Sequence, residues 1–151
     1  SDAPGYRQRL LYADPKGRFS VVCFTWGPAA RTPVHDHLTW GMVGQLRGSE
    51  VSTEMVPGEP GSPMRQGRTD RLLTGEVVAI SPDAPGHYDI HYVANAVPDQ
   101  TSISVHVYGT NIGYLPRHVF DEATSAKTEF VSGYDNPFVP NLWFGQPDAQ
   151  A

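Results

Sequence analysis

Histidines carry the chemistry of this chain. His35 and His37 stand two apart in Pro33-Val34-His35-Asp36-His37-Leu38-Thr39-Trp40-Gly41. On a strand, side chains two apart point to the same face. A strand here therefore aims two imidazoles at one point, as a metal site requires. His91 follows on a separate stretch, with Asn95 after it, and completes a candidate ligand set of His35, His37 and His91. Further on, Ser104, His106 and Tyr108 alternate with Val105 and Val107. Period two puts the three polar side chains on one face and the valines on the other. Such a row is either exposed to solvent or lines a cavity. The flanking Ile103, Val105 and Val107 read as a buried strand and favour the cavity. His87 reads as a loop residue near the mouth, and His118 as structural or surface.

The elements that must position these residues are strands. Tyr6 to Tyr12, Phe19 to Trp26, Thr39 to Leu46, Glu50 to Val56, Glu76 to Ile80, Tyr88 to Val93, Thr101 to Tyr108 and Tyr114 to Phe120 all read as strands. Asp14-Pro15-Lys16-Gly17, Gly27-Pro28 and Ser81 to Gly86 punctuate them as turns. Pro57 to Thr69, with three prolines and three glycines, reads as a surface loop. The tail from Glu129 to Phe144 reads as extended chain packed back over a sheet. No segment carries a 3.6-residue apolar stripe of helical length. The expectation is one all-β domain over residues 1–151, a sandwich or small barrel of the jelly-roll kind with little helix. Cys23 reads as a small core residue. Trp26, Trp40, Tyr92 and Trp143 read as core packing before pocket wall.

Composition narrows the function classes. A chain of 151 residues is long enough to bury a core. Lysine occurs only at Lys16 and Lys127, and the net charge of -5 gives no electrostatic case for nucleic acid or an anionic membrane. No apolar run is long enough to span a bilayer. The single cysteine, Cys23, cannot form an internal disulfide, which fits a reducing cytoplasm.

His35-x-His37, Gly48 and His91-x3-Asn95 resemble the two histidine motifs of the cupin superfamily. Most metal cupins add a glutamate shortly after the second histidine, where this chain has Gly41. A site of three histidines without a carboxylate resembles the thiol dioxygenases of the cysteine dioxygenase type. Ser104-x-His106-x-Tyr108 is similar to the Ser-His-Tyr row of that family. The mammalian-type cysteine enzymes carry a crosslinking cysteine where this chain has Gly41, and a carboxylate-gripping arginine where it has Gln8. The bacterial 3-mercaptopropionate dioxygenases use a glutamine there and an arginine after the tyrosine strand, a pattern that Gln8 and Arg117 fit. The resemblance runs from about Tyr6 to Trp143, and family members usually carry a further, helical segment before the Tyr6 strand.

The resemblance implies an Fe(II) enzyme that adds both atoms of O2 to the sulfur of a small thiol carboxylate, 3-mercaptopropionate before cysteine. Three neutral imidazoles leave the ion its full positive charge, which favours a thiolate. In that reading Tyr108 hydrogen-bonds the reactants, His106 orients the phenol and Ser104 fixes the His106 tautomer. Arg117 pairs with the substrate carboxylate, and Gln8 touches the same end. A non-catalytic cupin that binds a metal or small ligand is the alternative. A ring-cleaving cupin dioxygenase is disfavoured, because those usually keep the glutamate.

Overall fold

A computed structural model describes residues 5–86 and 88–136. His87, Trp143 and the end of the aromatic tail lie outside the described residues. The alternating stretches fold as β1 (Tyr6–Ala13), β2 (Ser20–Trp26), β3 (Val34–His35), β4 (Gly41–Arg47), β5 (Ser49–Val56), β6 (Arg65–Leu73), β7 (Val77–Ile80), β8 (His91–Asn95), β9 (Ser102–Tyr108), β10 (Arg117–Phe120) and β11 (Lys127–Phe130). There is no helix among the described residues, so none is long and apolar enough to cross a membrane. Two antiparallel sheets form, ordered β1-β2-β9-β4-β7 and β11-β10-β3-β8-β5-β6. The domain is all-β, as its alternation and turn chemistry imply.

The five-stranded sheet sets up the interior. In β2 every second residue is buried, which turns Ser20, Val22, Phe24 and Trp26 inward. The next strand, β9, has the opposite polarity. Ser102, Ser104, His106 and Tyr108 are buried, while Ile103, Val105 and Val107 are half-exposed. The polar row faces the space between the sheets. Its register sets Phe24 beside Ser104 and Val22 beside His106 on one side, and Val43 beside His106 on the other. Apolar neighbours thus wall in the polar row and exclude water from it. The main core gathers Leu10, Val22, Phe24, Trp26, Ile80 and Val93 around Tyr108. A smaller cluster of Val34, Met55 and Met64 lies with the six-stranded sheet.

Two glycines hold this arrangement open. A Cβ on Gly41 would stand 3.0 Å from both Ile80 Cγ1 and the Tyr108 ring. The position that resembled a missing ligand is thus the space the tyrosine ring occupies. Gly48 joins β4 to β5 at φ +77, with a Cβ position 3.1 Å from the Ser102 Cα. Both the left-handed backbone and the close approach require glycine there.

Several boundaries differ from the sequence reading, for physical reasons. Residues 65–69, expected in a surface loop, open β6, which pairs with β5 through a bulge. Most of β6 is exposed, so backbone pairing alone builds it and no apolar alternation marks it. The strands expected at Tyr88 to Val93 and Tyr114 to Phe120 begin later, at His91 and Arg117. The tail does return over a sheet. Gln8 N donates to Asp135 Oδ2 and Asp135 N to Gln8 O, while Leu10 N and Leu10 O bond the Asn136 side-chain amide.

Replacing Gly48 by alanine forces a left-handed alanine against Ser102, costing ~1–2 kcal/mol. Thermal unfolding should fall by roughly 2–8 °C for a chain of this size. An unchanged melting temperature by calorimetry would remove Gly48 from the constraints on the hairpin.

Candidate metal centre and its cavity

The three histidines meet, but not by the route the spacing suggests. Only Val34–His35 is strand, and His37 lies beyond it, where the chain turns at Leu38 with φ 55. The expectation of two imidazoles on one regular strand face is corrected in that detail. His35 pairs in register with His91 across β3 and β8. The ring centroids are 4.8 Å apart for His35–His37, 4.9 Å for His35–His91 and 4.8 Å for His37–His91. One ligand atom from each ring lies within 4.8 Å of the others.

Each ring is oriented from behind. His35 Nδ1 donates to Pro33 O at 3.0 Å. His37 Nδ1 donates to Asp89, to its carbonyl at 3.1 Å and its carboxylate at 3.2 Å. His91 Nδ1 bonds Ser52 Oγ at 2.8 Å, and that hydroxyl also bonds the Tyr88 hydroxyl at 2.8 Å. With Nδ1 engaged, the Nε2 lone pairs are left to converge, an arrangement that repels itself unless a cation sits between them. Burial first, and then the neighbouring imidazoles, push the pKa of His35 and of His91 well below the ordinary histidine range. Both are neutral, the form that coordinates metal. Asp36, between the ligands, is turned away. Its carboxylate accepts from His118 N and His118 Nδ1, each at 2.7 Å, which makes His118 a structural partner.

The polar row of β9 is a continuous hydrogen-bonded chain. Ser104 Oγ meets His106 Nε2 at 2.8 Å, and His106 Nδ1 meets the Tyr108 hydroxyl at 2.8 Å. Trp26 Nε1 donates to Ser104 Oγ at 3.0 Å. Burial holds the His106 pKa down at about 3, with the His37 charge as a lesser cause, so this ring is neutral. Burial also raises the Tyr108 pKa, so the phenol keeps its proton. The Tyr108 ring lies 5.6 Å from that of His37 and nearly parallel to it.

Arg117 is buried, 5% exposed, where a solvated surface residue was the competing expectation. Its Nη1 donates to Asp36 O at 3.1 Å, and its guanidinium lies 4.5 Å from the centre of the Phe130 ring. Its buried Nε has no hydrogen-bond partner among the described residues. Arg117, Gln8, Tyr108 and His35 line one cavity of about 150 Å³. Gln8 Nε2 is already committed to Gly133 O at 2.8 Å and Ser132 Oγ at 3.2 Å. His37, His91 and His106 line an adjoining cleft with Trp26. The two spaces share His35 and Tyr108 in their walls, so the three histidines, His106, Tyr108, Gln8 and Arg117 lie around adjoining cavities, with Ser104 behind His106.

No family profile matches the chain. Solved structures do. A cupin superfamily protein from Desulfitobacterium hafniense aligns over 74% of this chain and 83% of its own, at 11% identity and a TM-score of 0.53. KdgF from Halomonas sp. aligns over 74% and 85%, at 20% identity and a TM-score of 0.51. The chain has the cupin fold. An oxalate oxidase in complex with the substrate analogue glycolate aligns over 73% of this chain at 15% identity and a TM-score of 0.53, and this chain spans about half of it, 53%.

Other parts of the cupin site were not legible in the sequence. Ser52 and Asp89 orient the ligands, yet a serine on a strand and an aspartate in a turn carry no distinguishing pattern. Glu50 is 2% exposed, with Oε1 accepting from Ser102 Oγ at 3.3 Å and Oε2 without a hydrogen-bond partner among the described residues. Its only sequence signal was a carboxylate one strand-step from the buried end of β5. Burial raises its pKa to about 7, against the easing effect of the Ser104, Gln45 and Ser102 side chains. Of the aromatic wall candidates, Trp40 is half-exposed beside Gly109, and Tyr92 packs under Arg31 at 3.8 Å.

Ser52→Ala should weaken divalent-metal binding by roughly 10–100-fold in a chelator competition, because the His91 ring loses its anchor. Equal affinity in wild type and variant would show that Ser52 does not orient the ring. Glu50 also sets a pH dependence of stability. Its folded pKa of about 7 exceeds the ordinary 4.5, so the folded chain holds a proton that the unfolded chain releases between those values. Stability therefore falls as pH rises through that window, by on the order of 3 kcal/mol at full ionisation. Glu50→Gln should flatten that slope in denaturant titrations, and a slope equal to that of wild type would contradict the assignment.

Proposed function

We propose that this cupin is an Fe(II)-dependent thiol dioxygenase acting on a small thiol carboxylate, with 3-mercaptopropionate as the favoured substrate. The observation that carries the reading is the single cavity in which a buried arginine with a free Nε faces the tyrosine end of the Ser104–His106–Tyr108 row, beside His35. A carboxylate is the natural partner of a buried guanidinium, and a thiol two carbons away then reaches toward the histidines. The overall reaction moves four electrons from sulfur to O2. The S–H and O–O bonds break, two S–O bonds form, and the thiol becomes a sulfinic acid.

The three imidazoles fit the metal this reading needs. Burial holds His35 and His91 in the neutral form, all three Nδ1 atoms are engaged, and the three-residue cluster contains no carboxylate to offset the charge of a divalent ion. Fe(II) held there would supply the electropositive centre that binds a thiolate and the redox capacity that activates O2. The chain's own residues do the rest. Arg117 fixes the carboxylate end of the substrate. Phe130 and Phe24, on the wall of the same cavity, reduce access of water. The Tyr108 hydroxyl supplies a hydrogen bond at the reacting end, with its direction set through His106. Cysteine is the second substrate on this reading, since it carries the same carboxylate and thiol.

Iron-loaded protein should consume O2 with 3-mercaptopropionate and release the sulfinate, followed by an oxygen electrode and mass spectrometry. An iron-replete protein inert toward every small thiol acid would overturn the proposal and leave a metal-binding module. Arg117→Lys should raise KM for 3-mercaptopropionate by roughly 10-fold or more, the loss of a bidentate charge-assisted contact. Cysteamine turnover, with no carboxylate to lose, should change little. Equal losses for both would take Arg117 out of the substrate contact.

A further inference from the structure

We propose that Glu50 is a positioning residue. Its carboxyl group sets the direction of the hydrogen bonds running from Ser104 through His106 to Tyr108, and thereby whether the Tyr108 hydroxyl donates into the cavity or only accepts. The direct observations are geometric. Glu50 is buried on β5, on the opposite sheet from the row, with one carboxylate oxygen unpartnered. Ser102 Oγ, from the same face of β9, donates to Glu50 Oε1 at 3.3 Å, the Ser104 side chain is among the groups that ease the charge on that carboxylate, and Ser104 is also the first member of the row. A buried acid with an unsatisfied oxygen at the closed end of a hydrogen-bonded chain is costly, and nothing in the packing alone calls for it.

The direction follows from counting protons. His106 is neutral and carries one N–H, so its two 2.8 Å contacts must run the same way along the chain. With Glu50 ionised, the Ser104 O–H donates to the carboxylate. Ser104 Oγ then accepts from Trp26 Nε1 and from His106 Nε2–H. His106 Nδ1 is left bare and accepts the Tyr108 O–H, so the phenol oxygen presents only lone pairs to the cavity. With Glu50 neutral, the Ser104 O–H turns to His106 Nε2. The proton of His106 then sits on Nδ1 and donates to the Tyr108 oxygen, and the Tyr108 O–H is free to point at a ligand. Gln45 Oε1 is another buried atom without a hydrogen-bond partner among the described residues. The Trp26 contact is the same in both states.

Other titratable and polar groups surround Glu50 on neighbouring strands. From β6, Asp70 shares its cavity lining, and from β8 so does His91. From β9, His106 and Tyr108 both stay in their neutral forms, and β4 contributes the uncharged Gln45. The Glu50 pKa of about 7 places the change within the range where an enzyme works.

The inference concerns the row itself, and only its catalytic meaning rests on the dioxygenase reading. Nitrogen NMR of isotope-labelled histidine in zinc-loaded protein reads the His106 tautomer directly from about pH 5 to about pH 9. Wild type should pass from an Nδ1–H ring at low pH to an Nε2–H ring at high pH. Glu50→Gln, whose amide mimics the neutral acid, should hold the Nδ1–H form throughout. Ser104→Ala, which cuts the chain without touching the carboxyl group, should also abolish the change. A wild-type tautomer that is constant with pH overturns the proposal, as does a change that survives Glu50→Gln or Ser104→Ala. Should Glu50→Gln fail to fold, wild type and Ser104→Ala still decide. In the iron-loaded protein the pH profile of kcat should lose its limb near neutrality in Glu50→Gln, with KM within about 2-fold. Absence of any thiol oxidation would refute the functional reading and leave the tautomer result standing.

Discussion

The structure depends on one constraint, the burial of a polar strand face among apolar strands. The inner face of β9 carries Ser102, Ser104, His106 and Tyr108 between two strands that present Val22, Phe24, Trp26 and Val43. Polar groups in such surroundings must bond one another or lose the hydrogen bonds that water gave them. Much else answers to that demand. Trp26 is fully buried and turns its indole N–H to Ser104. Position 41 is glycine because the Tyr108 ring fills the space a side chain would take. Gln45 spends its amide on Ser102 Oγ and on Arg47 O, closing the row at its far end.

The metal centre and the cavity are coupled through backbone. Asp36 stands between the ligands His35 and His37, accepts Arg117 Nη1 on its carbonyl, and fixes His118, next to Arg117, with its carboxylate. A displacement of Arg117 therefore pulls on the segment that places the candidate ligands His35 and His37.

How far the sequence revealed this differs from element to element. Alternation in Phe19 to Trp26 and Thr101 to Tyr108 marked the two strands that matter most, because burial on one face writes period two into side-chain type. The three imidazoles were visible by residue type, although His37 reaches the site from a turn at Leu38 that no periodicity encodes. β6 was hidden because an exposed edge strand needs only backbone bonds. Ser52, Asp89 and Glu50 were hidden for a different reason. Their partners are 39, 52 and 52 residues away, so the pairings exist only once distant strands are brought together, within one sheet for Ser52 and Asp89 and across the two sheets for Glu50. The resemblance to thiol dioxygenases pointed to the same residues that the fold gathers, while the similarity to solved structures speaks to the cupin fold alone.

The chain crossing β1 has a bearing on solution behaviour. β1 is the outermost strand of its sheet, and such an edge offers unpaired N–H and C=O groups to any extended peptide. Here Asp135 and Asn136 occupy those groups at Gln8 and Leu10, three of the four contacts made by side chains in place of a strand's own backbone. The edge is finished by a short acidic and amide-bearing strip that cannot itself be extended by a further strand in the same pattern. Strand-by-strand stacking of one molecule on the next is thereby blocked on this side, and Gln8, which lines the cavity beside Arg117, is also the residue that fastens the seal.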